Sequence, residues 1–369
     1  MIVFVSNYYN HHQAFLSEQL FMLTNGAYRF IATQPMDQER ISLGWGGSSA
    51  AFVLSYTDAP DDCQALIDRA DAVLFGSAPY ELIQSRLKQN KLTFVYSERI
   101  FKAACPAWQM PLRALKMYNR YGRYKNVYLL CASGYAAADY ARIGTFKGKA
   151  YRWGYFPEVK RYDSIDAVLD SKQPTTILWV ARLIGWKHPE LPIQVAERLR
   201  DEGYSFTLQM IGNGEMEDTM RRMIAERDLE DRVHMLGSMK PTEVREYMER
   251  SQIFLFTSDR GEGWGAVLNE SMNSGCAVVA NRAIGSVPYL LKHEENGLIY
   301  ETEEELYLTT KRLLDDDALR HRLGREAYVT MSETWSPENA AARLLQLIDE
   351  INANQACSLF AEGPCSAEE

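Results

Sequence analysis

The residues best suited to chemistry lie in three glycine-punctuated junctions in the second half of the chain. The densest is Asp259-Arg260-Gly261-Glu262-Gly263-Trp264-Gly265-Ala266-Val267-Leu268-Asn269-Glu270, which follows the apolar run Ile253–Phe256 and leads into a helix closed by Gly275. Glycines let backbone approach a bound group closely, and amides that open a helix can point at negative charge. Glu262 falls in the loop and Glu270 about one and a half turns inside the helix. One carboxylate can then accept hydrogen bonds from the hydroxyls of one sugar while the other grips a second polyol. Read alone, the segment is equally a strand–loop–helix junction with a capping acid and a solvated helical glutamate.

A second junction, Val180-Ala181-Arg182-Leu183-Ile184-Gly185-Trp186-Lys187-His188-Pro189, places Arg182 and Lys187 just ahead of a helix. Two cations beside a helix N-terminus form a receptor for a diphosphate; the plain alternative is a pair of solvated loop cations. A third junction, Ile211-Gly212-Asn213-Gly214-Glu215, is another glycine-rich turn after an apolar run. In an open α/β sheet, ligands sit outside the carboxyl ends of the strands, where all three junctions fall. Their coincidence says more than any one of them.

The elements that must position these residues are legible as alternation. Short apolar runs (Ile2–Ser6, Tyr28–Thr33, Ala72–Gly76, Thr93–Tyr96, Val127–Cys131) exchange with helix-length amphipathic segments such as Ala14–Thr24 and Tyr80–Gln89. After a polar, turn-rich seam ending at Ser171-Lys172-Gln173-Pro174 the alternation restarts, with strands at Thr176–Val180, Phe206–Ile211, Val233–Leu236, Ile253–Thr257 and Ala277–Ala280. Such alternation implies βαβ units and doubly wound parallel sheets. We expect two Rossmann-like α/β domains, 1–170 and 171–335, closing over a cleft. A last helix, 336–352, opens with the N-cap Ser336 and Pro337, and the polar tail 353–369 is expected to be disordered.

Composition narrows the classes. The chain has 369 residues, 46% of them apolar, enough for two cores. A net charge of −9 argues against a nucleic-acid binder. No apolar run is long enough to span a bilayer, and Met1–Val5 reads as a first strand and not a leader. Six scattered cysteines without a C-x-x-C pair argue against a zinc site or a disulfide framework and suit a cytoplasm. Asp315–Asp317 formally makes a D-x-D metal motif, but no strand precedes it and we read it as a solvated acidic turn.

With Glu262 and Glu270 spaced as E-x7-E, the Arg182/Lys187 pair and the Gly212-Asn213-Gly214 turn, the second half resembles family four of the retaining GT-B glycosyltransferases. The resemblance extends to Asn296-Gly297-Leu298 and the final helix. It implies a GT-B architecture whose last helix crosses back to the first domain. It implies that Glu270 binds the ribose of a nucleotide, and that Glu262 and the backbone of Gly263, Trp264, Gly265 and Ala266 address a donor sugar. Arg182 and Lys187 would hold the diphosphate, and Gly212, Asn213, Gly214 and Gly237 would line the donor site. One departure is Tyr289, after Pro288, where the family often has a glutamate; no role is assigned to it.

The implied activity is transfer of sugar from a nucleoside-diphosphate sugar, UDP-linked, to a glycan or lipid-linked acceptor in bacterial cell-surface polysaccharide synthesis. It would need no metal, because fixed cations and amides take the charge of the leaving diphosphate. Two other classes share this architecture: a sugar-nucleotide 2-epimerase, and a non-catalytic subunit that binds a sugar nucleotide. A dehydrogenase is disfavoured by the absence of G-x-G-x-x-G after the first strand.

The first half is less explicit. His11 and His12, in Asn10-His11-His12-Gln13 after the first strand, and Glu98, after a later one, are candidates to touch the transferred sugar or acceptor. Each could also be structural. Trp45 among Gly44, Gly46 and Gly47 could stack on a sugar or simply pack a turn. From Arg99 to Lys125 seven basic residues alternate with aromatics and no acid intervenes. Such a segment suits an anionic membrane surface, with the protein peripheral on the inner face of the plasma membrane, or is a solvated cationic helix.

Overall fold

The computed structural model describes residues 1–36, 50–103, 105–353 and 360–368. Trp45 and its flanking glycines lie outside the described residues. The chain divides into two compact units, Met1–Glu158 with Trp335–Glu369, and Val159–Thr334.

The first unit contains strands β1 (Ile2–Ser6), β2 (Tyr28–Ala32), β3 (Val53–Ser55), β4 (Ala72–Phe75), β5 (Thr93–Ser97), β6 (Val127–Cys131) and β7 (Ala150–Arg152). The second contains β8 (Gln173–Val180), β9 (Thr207–Ile211), β10 (Val233–Gly237), β11 (Ser251–Phe256), β12 (Ala277–Asn281) and β13 (Leu298–Tyr300). A short β14 (Ala367–Glu368) returns to the first sheet. The sheet orders are β14-β7-β6-β5-β4-β1-β2-β3 and β10-β9-β8-β11-β12-β13. Among the described residues every pairing is parallel except β14 with β7. Central strands such as β1 and β4 are buried along their whole length, as expected where helices cover both faces of a parallel sheet.

The unit boundary falls at Glu158/Val159, not at the expected 170/171. Packing explains the shift. The backbone of Lys160 exchanges hydrogen bonds with the Asn273 side chain at 2.8 and 3.1 Å. The helix Ile165–Asp170 sets Leu169 and Ile165 so close to Gly275 that a Cβ there would lie 3.0 and 3.1 Å from them. Beyond that helix, buried Lys172 donates to the carbonyls of Met248, Glu249, Ser251 and Ser274 at 2.8–3.1 Å. Burial lowers its pKa, and the four carbonyls supply the partners a buried ammonium needs.

The helix Pro337–Asn352 starts from Ser336, whose side chain accepts from the Asn339 amide, and it packs on the helix His11–Leu23 of the first unit. The expected disorder of 353–369 is corrected within the described part of the tail. β14 pairs antiparallel with β7, Ala367 opposite Tyr151. Arg152 ion-pairs with Glu368 at 2.5 Å, and the Arg343 guanidinium donates to the Glu362 carbonyl and lies 4.5 Å from the Phe360 ring. The tail closes an otherwise open sheet edge, which gives a short polar segment a reason to order.

Candidate functional site

At the carboxyl edge of the second sheet, paired strand ends bring the three junctions together. Val180 lies opposite Ile211, and Gly237 opposite Ile211 from the other side. Backbone hydrogen bonds continue the alignment past the strands: Ala181 N–H to Ile211 O at 3.1 Å, Leu183 N–H to Asn213 O at 2.8 Å, and Gly212 N–H to Gly237 O at 2.8 Å. Gly212 (φ +139°) and Gly214 (φ +157°) are required by this approach. A Cβ would stand 1.9 Å from the Ala181 carbonyl oxygen at the first, and 2.4 Å from that of Leu183 at the second.

Lys187 is held by its own loop. Buried Thr257, at the end of β11, accepts from the Trp179 indole at 2.8 Å and donates to the Lys187 carbonyl at 2.7 Å. The Asp259 amide donates to the Trp186 carbonyl at 3.0 Å, tying the Lys187 loop to the Glu262 loop. The Lys187 ammonium forms an ion pair with Glu262, the side chains 12% and 10% exposed, and Ser258 donates to the same carboxylate at 3.1 Å. The pair thus sits at low local dielectric, where removing either partner strands the other's charge. Exposed Arg182 lies near it, its guanidinium carbon 6.0 Å from the Trp186 ring, with the Lys187 ammonium 4.3 Å from that ring.

Gly265 has φ +87°, and a Cβ on it would meet the Phe256 ring at 2.4 Å. The helix that this junction leads into therefore begins only at Val267 and ends at Asn273. Trp264 turns its indole into the core, donating to Asn269 at 2.9 Å, so its contribution to a ligand is limited to backbone. Tyr289, left without a role, packs its ring 6.2 Å from Trp264. Glu270 lies half-buried on the helix that follows. Asp315, Asp316 and Asp317 are engaged apart from this edge: with the Tyr204 hydroxyl, as a helix cap to the Leu319 amide, and with Arg320.

His11, His12 and Glu98 belong to the first unit. Its strand ends border a pocket of about 720 Å³ lined by Asn10, His12, Tyr80, Glu98, Arg99 and Tyr155, among others. Asn10 caps the helix His11–Leu23 by accepting from the His12 amide at 3.0 Å. The two imidazoles are 3.8 Å apart by ring centroid. Desolvation and the neighbouring His11 hold His12 well below the usual imidazole range, favouring the neutral ring. His12 stacks on Tyr155, whose hydroxyl donates to Glu98 at 2.6 Å; the other Glu98 oxygen accepts from Lys102 at 2.6 Å. His12 and Glu98 are thereby linked through Tyr155.

Trp186, Thr257, Ser258 and Tyr155 were not singled out from the sequence. Trp186 had a signal, standing between two cations in one junction. Tyr155 had none, because it lies between the runs Val127–Cys131 and Thr176–Val180, in no element or motif marked by the sequence.

Solved structures that cover nearly the whole chain share this fold. Anabaena HepE in complex with UDP and glucose matches with a TM-score of 0.66 and 14% identity over 95% of this chain and 99% of that one. The pneumococcal O-GlcNAc transferase GtfA in complex with UDP and GlcNAc matches with 0.68 and 11% over 95% and 99%. The architecture is GT-B, two parallel-sheet α/β units, and at these identities the likeness is one of fold. In sequence, residues 162–330 match the family model described as Glycosyl transferases group 1. The amylovoran biosynthesis glycosyltransferase AmsK of Erwinia amylovora is 33% identical over 151 residues, 40% of this chain and 36% of that protein. An N-acetylgalactosaminyltransferase of Campylobacter jejuni, named for a diphospho-undecaprenol acceptor, is 33% identical over 146 residues, 39% of this chain and 38% of that protein. The chain thus spans well under half the length of these curated relatives.

Proposed function

We propose that the chain is a retaining, metal-independent glycosyltransferase of family four. In this reading it moves a sugar from a nucleoside-diphosphate sugar, UDP-linked, to a glycan or lipid-linked acceptor in cell-surface polysaccharide synthesis, working in the cytoplasm. The observation that carries it is the second unit's strand-end edge. There Lys187 and Arg182 flank loops that glycines at 212, 214 and 265 allow to pack at close quarters. The match of residues 162–330 to a glycosyltransferase model and the UDP-bound neighbours support the same assignment.

Breaking a sugar–diphosphate bond leaves positive charge on the sugar ring and negative charge on the departing phosphate. Arg182, Lys187 and the amides near Gly263–Ala266 stabilise the phosphate charge by fixed electrostatics, without reorganisation during the reaction. Glu270 receives the ribose hydroxyls, and Glu262, already beside Lys187, addresses the sugar. With retention, the acceptor attacks from the face the phosphate leaves, and the phosphate takes the acceptor's proton. No separate base is then needed, and Glu262 and Glu270 are not a glycosidase-type acid and nucleophile. In the first unit the His12–Tyr155–Glu98 group and its pocket receive the acceptor.

The test is a thermal-shift panel of nucleotide sugars with chelator present. One donor should raise apparent stability, by about 2.7 kcal/mol when present at about a hundred times its Kd. Lys187→Ala and Glu270→Ala should each abolish that shift. A full shift retained in both variants removes the assignment. Product formation without an acceptor points to the epimerase instead.

A further inference from the structure

Of the seven large apolar side chains exposed among the described residues, four sit in one short segment: Trp108 (71% exposed), Leu112 (64%), Leu115 (60%) and Tyr118 (53%). The segment runs from a 3-10 turn at Ala107–Gln109 through the helix Met110–Met117 into a π turn at Tyr118–Gly122. Spacings of four, three and three along the chain put the four side chains on one stripe. Among the described residues nothing covers that stripe, yet the segment is firmly seated from behind. Tyr121 is buried, 5.7 Å from the rings of both Tyr80 and Phe146, and the Tyr80 hydroxyl donates to the Arg120 carbonyl at 3.0 Å.

Charge selects the occupant. Arg113, Lys116, Arg123 and Lys125 are exposed beside the stripe, and no acid occurs from Arg99 to Asn126 in a chain whose net charge is −9. Arg113 lies 5.5 Å from the Phe101 ring and Arg123 4.9 Å from the Tyr124 ring, so these guanidiniums rest on aromatic faces. An exposed apolar stripe whose own segment carries cations and no acid fits the headgroup region of an anionic bilayer better than a protein surface of mixed charge. No helix among the described residues is long and apolar enough to cross a membrane, so attachment here would be interfacial.

The same segment touches the pocket. Its π turn contributes Arg120 and Tyr121 to the lining that also holds Tyr80, Glu98 and His12. We propose that the Ala107–Gly122 segment docks the protein on an anionic lipid surface, Trp108, Leu112, Leu115 and Tyr118 immersed and Arg113, Lys116, Arg123 and Lys125 on the phosphates. Docked in this way, the pocket wall lies at the membrane and receives the polar head of an acceptor whose lipid stays in the bilayer. The second statement rests on the proposed function; the docking itself does not.

Flotation of the full chain with vesicles of phosphatidylcholine alone, or of phosphatidylcholine with phosphatidylglycerol, tests both parts. The wild type should float with the anionic vesicles, and high salt should weaken the binding. The Trp108→Ser, Leu112→Ser, Leu115→Ser triple variant should bind about tenfold or more weakly. A second variant, Arg113→Gln with Lys116→Gln and Lys125→Gln, should lose the preference for anionic lipid. Both sets change exposed residues only, and an unchanged melting temperature verifies the fold. Absence of wild-type binding, or equal binding by the triple variant, overturns the docking. So does a wild type that sediments as a dimer while the triple variant is a monomer, since the stripe is then a protein interface. Nucleotide-sugar shifts separate the two readings. Vesicle binding with no donor shift rejects the glycosyltransferase reading and keeps the surface; a donor shift without vesicle binding does the reverse.

Discussion

The proposed donor edge of the second unit and the pocket of the first are both built at the carboxyl ends of parallel strands, but from different materials. The donor edge is made of backbone. A Cβ on Gly212, Gly214 or Gly265 would stand 1.9–2.4 Å from a neighbouring atom, and the buried ion pair of Lys187 with Glu262 is held by the hydroxyls of Thr257 and Ser258. The pocket is made of side chains: imidazole on phenol, phenol to carboxylate, carboxylate to ammonium. In the proposed reading, backbone geometry recognises what every donor shares, a diphosphate and a ribose. Side chains on loops discriminate, and they change without disturbing the sheet beneath them. Under the proposed function, the constant part of the chemistry would fall to one unit and the variable part to the other.

The sharpest way to break this contrast is at Lys187. Lys187→Ala strands Glu262 without its cation and should cost about 3–5 kcal/mol of stability, read by urea unfolding. It should also lower kcat/KM by about 10²–10³. Adding Glu262→Gln should recover much of the stability and none of the transfer activity. Recovery of both would make the pair structural only. Next comes Gly212→Ala, which drives a Cβ into the Ala181 carbonyl at a backbone angle that L residues rarely adopt. We expect a loss of about 2–4 kcal/mol, with donor binding falling in step.

In the pocket the effects should be smaller and confined to the acceptor. Tyr155→Phe removes the 2.6 Å hydrogen bond to Glu98. A charge-assisted bond of this kind contributes about 1.5–3 kcal/mol. The acceptor KM or kcat should therefore suffer about tenfold or more, with the nucleotide-sugar thermal shift unchanged. His12 gives the smallest effect. Its folded-state pKa is depressed, so the unfolded chain takes up its proton first as pH falls. Its contribution to stability is full above about 6.5 and is lost on acidification from there toward the depressed value. His12→Gln should flatten that acid limb relative to wild type, measured by melting temperature against pH.

The same contrast governs what could be read from the residues alone. Glycine at a position of positive φ is a requirement that leaves a mark, so Gly212, Gly214 and Gly265 pointed directly at their junctions. Periodicity likewise revealed the parallel strands, because burial on both faces demands continuous apolar runs. The unit boundary was misplaced because the helix Ile165–Asp170 is attached by Leu169 and Ile165 meeting Gly275, a contact between distant residues with no local pattern. The tail escaped for a related reason. A two-residue strand has no period, and the contacts that order it, with the edge of β7, Arg152 and Arg343, are distant in sequence or absent from any local pattern. Tyr155 was invisible because its role comes from His12 and Glu98, each more than fifty residues away.

In the proposed function the second unit grips a diphosphate with cations and backbone. Calorimetric titration of UDP into the wild type and Lys187→Ala, each with excess chelator, tests it most directly. The predicted result is wild-type binding that chelator does not alter, and binding at least about tenfold weaker in the variant. Affinity that disappears with chelator, or is the same in both proteins, contradicts it.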